Sequence, residues 1–254
     1  MKSSDTFEIK MPDSFLLIGS PGTGKTAFAI QLPRPFILDC DQNLSGPVRF
    51  VKSQNKTPIF SYDNPLVDKD GKQLKREDVF ARCAELLKEA CESKDIDTIV
   101  IDSLTSFVEF AKAHVLKINK KVLGDNIKNF DSKFEFAEWG AFGALMRQTI
   151  FWLKSSGKRL VITAHINVDK DELTQALYNF IAIPGGTKTV LSGWFQEVWQ
   201  LTATSRSTNQ GDVREHKVKT VADARSMNLG LKSSVGLPAS SDMNAEELLK
   251  RLVA

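Results

Sequence analysis

The chain has 254 residues, with 34 Lys and Arg against 31 Asp and Glu, for a formal net charge of +3. Hydrophobic residues make up 42% and charged residues 26%, which are ordinary values for a soluble globular protein. The sequence contains no apolar run of about 18 residues, which excludes a membrane-spanning helix, and the opening MKSSDTFEIK lacks the apolar centre of a secretory signal. Three cysteines are too few for a disulfide framework, so we expect reduced thiols in a cytoplasmic protein.

Apolar runs and helical patterns alternate along the chain. Short apolar runs that are typical of buried strands occupy residues 14–18, 35–39, 97–102, 158–166 and 197–204. Apolar residues at helical spacing occupy 27–32, 77–92 and 139–153. This alternation predicts an α/β fold in which helices flank a mostly parallel central sheet, with a C-terminal β-hairpin and tail.

Three further segments depart from that alternation. Residues 117–136 and 167–188 are polar and irregular, and loops of this length are usually functional or disordered. The chain ends in the amphipathic segment AEELLKRLV, which predicts a short helix with Ser240 or Ser241 as its cap.

A phosphate-binding loop is the most specific signal. Residues 19–26 read GSPGTGKT and match the pattern G-x-x-x-x-G-K-[ST] in full, between an apolar strand and a helical pattern. The glycines let backbone N–H groups turn inward towards phosphate oxygens, and the following helix offers its positive end. The sequence therefore predicts an ATP and Mg²⁺ site formed by Gly19, Ser20, Pro21, Gly22, Thr23, Gly24, Lys25, Thr26 and Ala27.

Within that site, Lys25 is the expected point charge for the β- and γ-phosphates, and the Thr26 hydroxyl is the expected Mg²⁺ ligand. Asp102 ends the apolar run TIVID, where a second acid is expected to hold the metal through water. The alternative for Asp102 is an aspartate that only ends a strand.

Three other segments carry a resemblance to RecA-like ATPases. They are FILDCDQNL at 36–44, TIVIDSLTSF at 98–107 and LVITAHI at 160–166. The resemblance implies that Asp41 activates the attacking water, where RecA has Glu, and that His165 senses the γ-phosphate, where RecA has Gln. It implies a catalytic set of Lys25, Asp41, Asp102 and His165; for His165 the alternative is a structural residue at a strand end.

The length and the ending VKTVADARSMNLGLKSSVGLP resemble the phage-encoded RecA-like ATPases of single-strand annealing and recombination. This resemblance implies one domain over 1–254, with its core at about 12–220 and a tail at 221–254, in the cytoplasm of a bacterial host. It also implies a DNA-dependent ATPase. One alternative is an AAA+ remodelling ATPase, which is disfavoured because Ser103 stands where that class has an acid. The others are a nucleotide-binding regulatory or defence module that does not touch DNA, and a small-molecule kinase.

In RecA-like proteins the loops after the metal-binding strand and the sensor strand face DNA. In this chain those two positions are taken by the irregular stretches 117–136 and 167–188. Lysines there would neutralise phosphates, and Phe130, Phe134 and Phe136 would stack on unpaired bases. The alternative is a solvated basic face. The expected contacts to single-stranded DNA are Lys117, Lys120, Lys121, Lys128, Lys133 and Lys188.

RecA-like ATPases also place a basic residue of a neighbouring subunit on the γ-phosphate. The segment HKVKT at 216–220 resembles the strand that carries it, so Lys217, Lys219 and Arg206 are the expected trans-acting residues, with Arg214 also near that hairpin. The resemblance implies a homo-oligomeric ring or filament, and a single-strand-binding protein as a possible partner. His114 and His216 receive no role.

Overall fold

The computed structural model describes residues 13–119, 134–170, 172, 175–208 and 211–253. Its strands are β1 (Ser14–Ile18), β2 (Pro35–Asp39), β3 (Ser61–Asp63), β4 (Thr98–Asp102), β5 (Arg159–Ala164), β6 (Ile166–Lys170), β7 (Leu177–Ile181), β8 (Glu197–Thr208), β9 (Gly211–Lys219) and β10 (Ser240–Asp242). Its helices are α1 (Lys25–Ala29), α2 (Ser45–Ser53), α3 (Arg76–Glu92), α4 (Leu104–Ile118), α5 (Phe136–Ser155), α6 (Thr187–Val190) and α7 (Ala245–Val253).

Eight strands form one sheet in the order β10–β9–β8–β1–β5–β4–β2–β3. The six strands from β8 to β3 run parallel, and β9 and β10 add antiparallel at one side. The α/β fold predicted from the sequence is confirmed, including its C-terminal antiparallel strands. Because β5 lies between β1 and β4, the carboxyl ends of the phosphate-loop, sensor and metal-binding strands meet at one edge.

Helices cover both faces of the sheet, which is why its central strands read as continuous apolar runs. One core cluster packs α3, α4 and α5 against the sheet, and a second packs α1, α2 and α7 against the other face. The periodicity predicted for α3 is confirmed in detail, since its buried residues are Val79, Phe80, Cys83, Leu86, Leu87 and Ala90.

The segment 167–188 is not irregular throughout, contrary to the sequence-based expectation. Strands β6 and β7 form an antiparallel hairpin in which Ile166 pairs with Ile181 and Lys170 pairs with Leu177. Most of β6 is exposed, and its residues INVDK alternate between apolar and polar only from Ile166 to Asp169, which is the shortest run that indicates a strand.

The predicted helix at the end of the chain is present as α7, but its predicted cap is wrong. Ser240 and Ser241 belong to β10, which pairs with β9. The Asn244 side chain instead accepts a hydrogen bond from the backbone N–H of Glu247 at 3.3 Å, as a cap residue does. The serines are taken up by the sheet because β9 offers an open edge with unpaired backbone groups.

The predicted tail packs on the sheet. The backbones of Val198 and Lys232 form a bridge, and the buried Glu197 carboxylate accepts hydrogen bonds from Trp199 Nε1 at 2.7 Å and from Ser234 N at 2.6 Å. Ala245 of α7 is buried in the second core cluster. In the part of the chain that the structure describes, no helix is long and apolar enough to cross a membrane.

Candidate active site

The phosphate loop curls between β1 and α1, and glycine is required at two of its positions for different reasons. A Cβ on Gly19 would lie 2.4 Å from the backbone carbonyl oxygen of Leu201 in β8. Gly24 has φ of +96°, in the left-handed region that side chains disfavour. These constraints fix the loop as a close turn against β8, with its backbone available to phosphate oxygens.

Lys25 lies inside this turn and is 5% exposed. Its Nζ donates hydrogen bonds to the carbonyl oxygens of Gly19, at 2.9 Å, and of Ser20, at 3.0 Å. Burial lowers the pKa of Lys25 to about 8, although Asp102 and Asp41 oppose this by attraction. The lysine is therefore a cation held at the expense of its solvation, and a phosphate anion would relieve that cost.

Asp102 lies at the end of β4 with Thr26 on one side and Thr163 of β5 on the other. The Thr26 hydroxyl donates to Asp102 Oδ2 at 2.8 Å, and the Thr163 hydroxyl donates to Oδ1. Burial raises the pKa of Asp102, and the hydrogen bonds from Thr163 and Thr26 offset part of that rise.

This donor set fits Mg²⁺, which binds through one or two protein oxygens and completes its shell with waters and substrate phosphates. Thr26 and Asp102 are the residues that would hold it. The described residues contain no group of three or more His, Cys, Asp or Glu side chains placed to hold a metal ion.

Asp41 follows β2 and faces His165, which follows β5. His165 Nε2 lies 3.6 Å from Asp41 Oδ2, and the Ser106 hydroxyl donates to Asp41 Oδ1. Burial alone would raise the pKa of Asp41, but the contacts with His165 and Ser106 outweigh it and hold the pKa at about 2. Asp41 is therefore ionised at neutral pH. Its neighbour Asp39 is buried, accepts from the Asn43 backbone and has a raised pKa because of burial.

His165 connects the two halves of the site. Its Nδ1 lies 3.5 Å from Lys25 Nζ, its Nε2 faces Asp41, and its backbone N–H donates to Thr105 Oγ1 at 3.2 Å. The predicted catalytic set of Lys25, Asp41, Asp102 and His165 thus lies in one connected group with Thr26. The individual roles of these residues stay predictions.

The remaining predicted site residues lie in several places. Ala27 is buried in the second core cluster, while Ser20 and Pro21 are exposed on the loop. Lys117 contacts Asp78, and Lys188 Nζ lies 5.0 Å from the centroid of the Phe180 ring. Four of the predicted DNA-binding lysines lie outside the described residues, with Phe130: Lys120, Lys121, Lys128 and Lys133.

The predicted trans-acting residues lie on the β8–β9 hairpin. Lys217 Nζ is 3.9 Å from Glu215, and Lys219 Nζ is 2.5 Å from Asp223. Arg206 lies in the distal part of β8.

Sequence reasoning missed Thr163 and Ser106, the two hydroxyls that donate to the site carboxylates. Thr163 is a polar residue in the buried strand LVITA, two positions before His165. A polar residue in an apolar run close to a site residue is the signal that would have found it. Ser106 gives no comparable signal, because a serine in the first turns of a helix is common.

The arrangement of these residues agrees with a comparison of the sequence with known families. Residues 11–227 match the family model described as AAA domain. The chain belongs to the AAA domain family. No curated protein sequence matches this AAA domain protein. Among solved structures it is similar to a KaiC-like protein from the hyperthermophilic archaeon Pyrococcus horikoshii OT3, with 13% identity, a TM-score of 0.40, and coverage of 82% of this chain and 78% of that chain. Membership of a P-loop ATPase family supports nucleotide binding and hydrolysis in general.

Proposed function

We propose that this AAA domain protein is a DNA-dependent ATPase of the RecA-like type, which binds single-stranded DNA as a homo-oligomer and promotes annealing or strand exchange in phage recombination. The observation that carries the proposal is the position of His165. It contacts Lys25 and Asp41 through its ring and is continuous with the β6–β7 hairpin through its backbone.

The chemistry follows from the contacts within the site. Lys25 binds the β- and γ-phosphates of ATP, and Thr26 and Asp102 would hold Mg²⁺. The metal, when bound, supplies positive charge to the phosphate oxygens. Asp41 accepts a hydrogen bond from the attacking water and orients it in line with the γ-phosphate. A carboxylate with a pKa of about 2 is a weak proton acceptor at neutral pH, so its contribution is orientation and polarisation of the water.

Coupling to DNA runs from His165 into the next segment. The His165 carbonyl oxygen accepts a hydrogen bond from the Ala182 backbone N–H at 2.8 Å, where β7 leaves the hairpin. Loss of the γ-phosphate changes what the His165 ring contacts, and this backbone link transmits the change to the hairpin and to α6. The phosphate site and the second predicted DNA loop are therefore two ends of one short segment.

Two aromatic rings next to lysines support single-stranded DNA as the ligand. Lys188 Nζ lies 5.0 Å from the Phe180 ring centroid and Lys112 Nζ lies 5.8 Å from that of Phe134. Lysine next to an aromatic ring is the combination that binds unpaired bases and their phosphates. Lys112 and Lys117 contribute less charge than Lys188, because they pair with Glu109 and Asp78.

The origin of the candidate catalytic acid favours the RecA-like mechanism over an AAA+ remodelling ATPase. Asp41 comes from the end of β2 and reaches His165, whereas the residue after Asp102 is Ser103. The site thus takes its acid from a neighbouring strand. A regulatory or defence module could share this ATPase site but would not bind DNA, so a DNA-binding measurement distinguishes the two functions.

The test is binding of a fluorescently labelled single-stranded oligonucleotide, followed by polarisation with and without a non-hydrolysable ATP analogue over a salt series. We expect binding only when the analogue is present. The logarithm of the binding constant should fall linearly with the logarithm of the salt concentration. Lys188→Glu should weaken it, whereas the matched charge reversal Lys88→Glu, on the exposed face of α3, should not. Absence of binding at low salt, with ATP turnover intact, would overturn the DNA proposal.

A further inference from the structure

The β8–β9 hairpin extends past the edge of the sheet and over the phosphate loop. Strand β1 ends at Ile18, which pairs with Gln200 of β8. Strand β8 continues beyond this point, where it pairs with β9, so that Ala203 opposes His216 and Ser205 opposes Arg214. The part of β9 that precedes Val218 therefore lies beside the loop that β1 leads into.

The two faces of β9 have different surroundings, because alternate residues of a strand point to opposite sides. Arg214 and His216 face the loop of their own chain. A Cβ on Gly22 would lie 3.1 Å from Arg214 Nη2, and a Cβ on Gly24 would lie 3.2 Å from His216 Nδ1. Glu215 and Lys217 share the other face, where their charged groups are 3.9 Å apart.

His216 holds this part of β9 against the loop. Its Nδ1 donates to the Thr23 carbonyl oxygen at 3.1 Å, and its ring centroid is 4.8 Å from that of Phe50 on α2. Its own carbonyl oxygen accepts from the Met243 backbone N–H at 3.0 Å. Arg214, two residues away, is therefore carried on a strand that is held to the phosphate loop by one hydrogen bond and to the residue after β10 by another.

Arg214 has the charge and the position of an anion ligand. Its side chain is exposed, and among the described residues no carboxylate lies within ion-pair distance of it. A guanidinium stays protonated at any ordinary pH, and its planar donors suit phosphate oxygens. The absence of a side chain on Gly22 leaves room for it at the loop.

We propose that Arg214 binds the polyphosphate of the nucleotide held by the phosphate loop of its own chain. The proposal rests on the proposed function, because it requires that the loop binds ATP. In this arrangement Arg214 acts in cis, on the nucleotide of its own chain. The opposite face of β9, which carries Lys217, is the face that a neighbouring subunit can reach.

The first test is the dissociation constant of a fluorescent ATP analogue for the full-length protein. Arg214→Ala should raise it about tenfold, since a charge-assisted hydrogen bond to phosphate is lost, and Arg214→Lys should recover part of the loss. Arg225→Ala removes an exposed arginine whose backbone is hydrogen-bonded to Asn179 of β7, and it should change the dissociation constant less than twofold. No binding by the wild type would defeat the proposed function, whereas binding by Arg214→Ala equal to the wild type would defeat only this inference.

The second test separates cis from trans action. Two variants are co-expressed with different tags, and the mixed assembly is purified through both tags. One is Lys25→Ala, which keeps Arg214, and the other is Arg214→Ala, which keeps an intact phosphate loop. If Arg214 acts in cis, the ATPase rate of the mixed assembly equals the sum of the two variants. A rate restored towards that of the wild type would overturn cis action. If the chains do not co-purify, no neighbour can supply Arg214, and a binding defect in Arg214→Ala is then itself a cis effect.

Discussion

Nucleotide binding should depend on pH through Lys25. Burial places the pKa of this lysine at about 8 in the nucleotide-free protein, and bound phosphate restores the charged form by Coulomb attraction. Only the protonated fraction is ready to bind, and with a pKa of 8 that fraction is about 0.9 at pH 7, about 0.5 at pH 8 and about 0.1 at pH 9. The dissociation constant for the Mg²⁺–ATP complex should therefore rise about tenfold between pH 7 and pH 9.

Two measurements check this expectation. Fluorescence titrations with an ATP analogue, at constant ionic strength and excess Mg²⁺, give the dissociation constant at each pH. Calorimetry at pH 8.5 in two buffers of different ionisation enthalpy should show uptake of about 0.8 proton on binding. Lys25→Met is the control, because it binds more weakly but has no amine to titrate.

The same shift has a consequence for stability. Above pH 8 the native lysine has lost its proton while the unfolded chain, with a pKa of 10.5, still holds it. The free energy of unfolding of the nucleotide-free protein should therefore rise with pH between about 8 and 10.5, by up to about 3 kcal/mol relative to Lys25→Met. A dissociation constant that varies less than twofold from pH 7 to pH 9, without proton uptake, would refute the reasoning.

Three further substitutions test other contacts of the site. Asp41→Asn should leave binding of the ATP analogue within about threefold and slow phosphate release by about 10²-fold, since the amide cannot polarise water as a carboxylate does; full turnover would move that role to another acid. Gly19→Ala should abolish tight nucleotide binding, because its Cβ would lie 2.4 Å from a backbone oxygen, whereas Gly46→Ala, which meets nothing within 4 Å, should not; equal binding by both would contradict the clash. Thr163→Val should lower the free energy of unfolding in urea by about 1–3 kcal/mol, because it removes a hydrogen bond to a buried carboxylate, and an unchanged value would show that Asp102 does not depend on it.

Some of this protein was readable from the sequence because the signals are local. The runs at 14–18 and 35–39 are β1 and β2 with the predicted bounds, since a strand covered on both faces must be apolar throughout. The loop at 19–26 was equally evident, because its conformation requires glycine at fixed spacing. Asp102 was predicted for the site from its place at the end of an apolar run, and Asp41 and His165 from the resemblance to RecA-like ATPases. The parallel strands bring all three near the loop.

Other features depended on strand pairing, which no local pattern records. The exposed strand β6 was missed because its partner β7, and not an apolar face, holds it in place. Ser240 and Ser241 became a strand because β9 has an open edge beside them. The side of β9 that faces the phosphate loop is likewise set by register. A shift of one residue would exchange Arg214 for Glu215 there, so only the tertiary structure decides which charge the nucleotide meets.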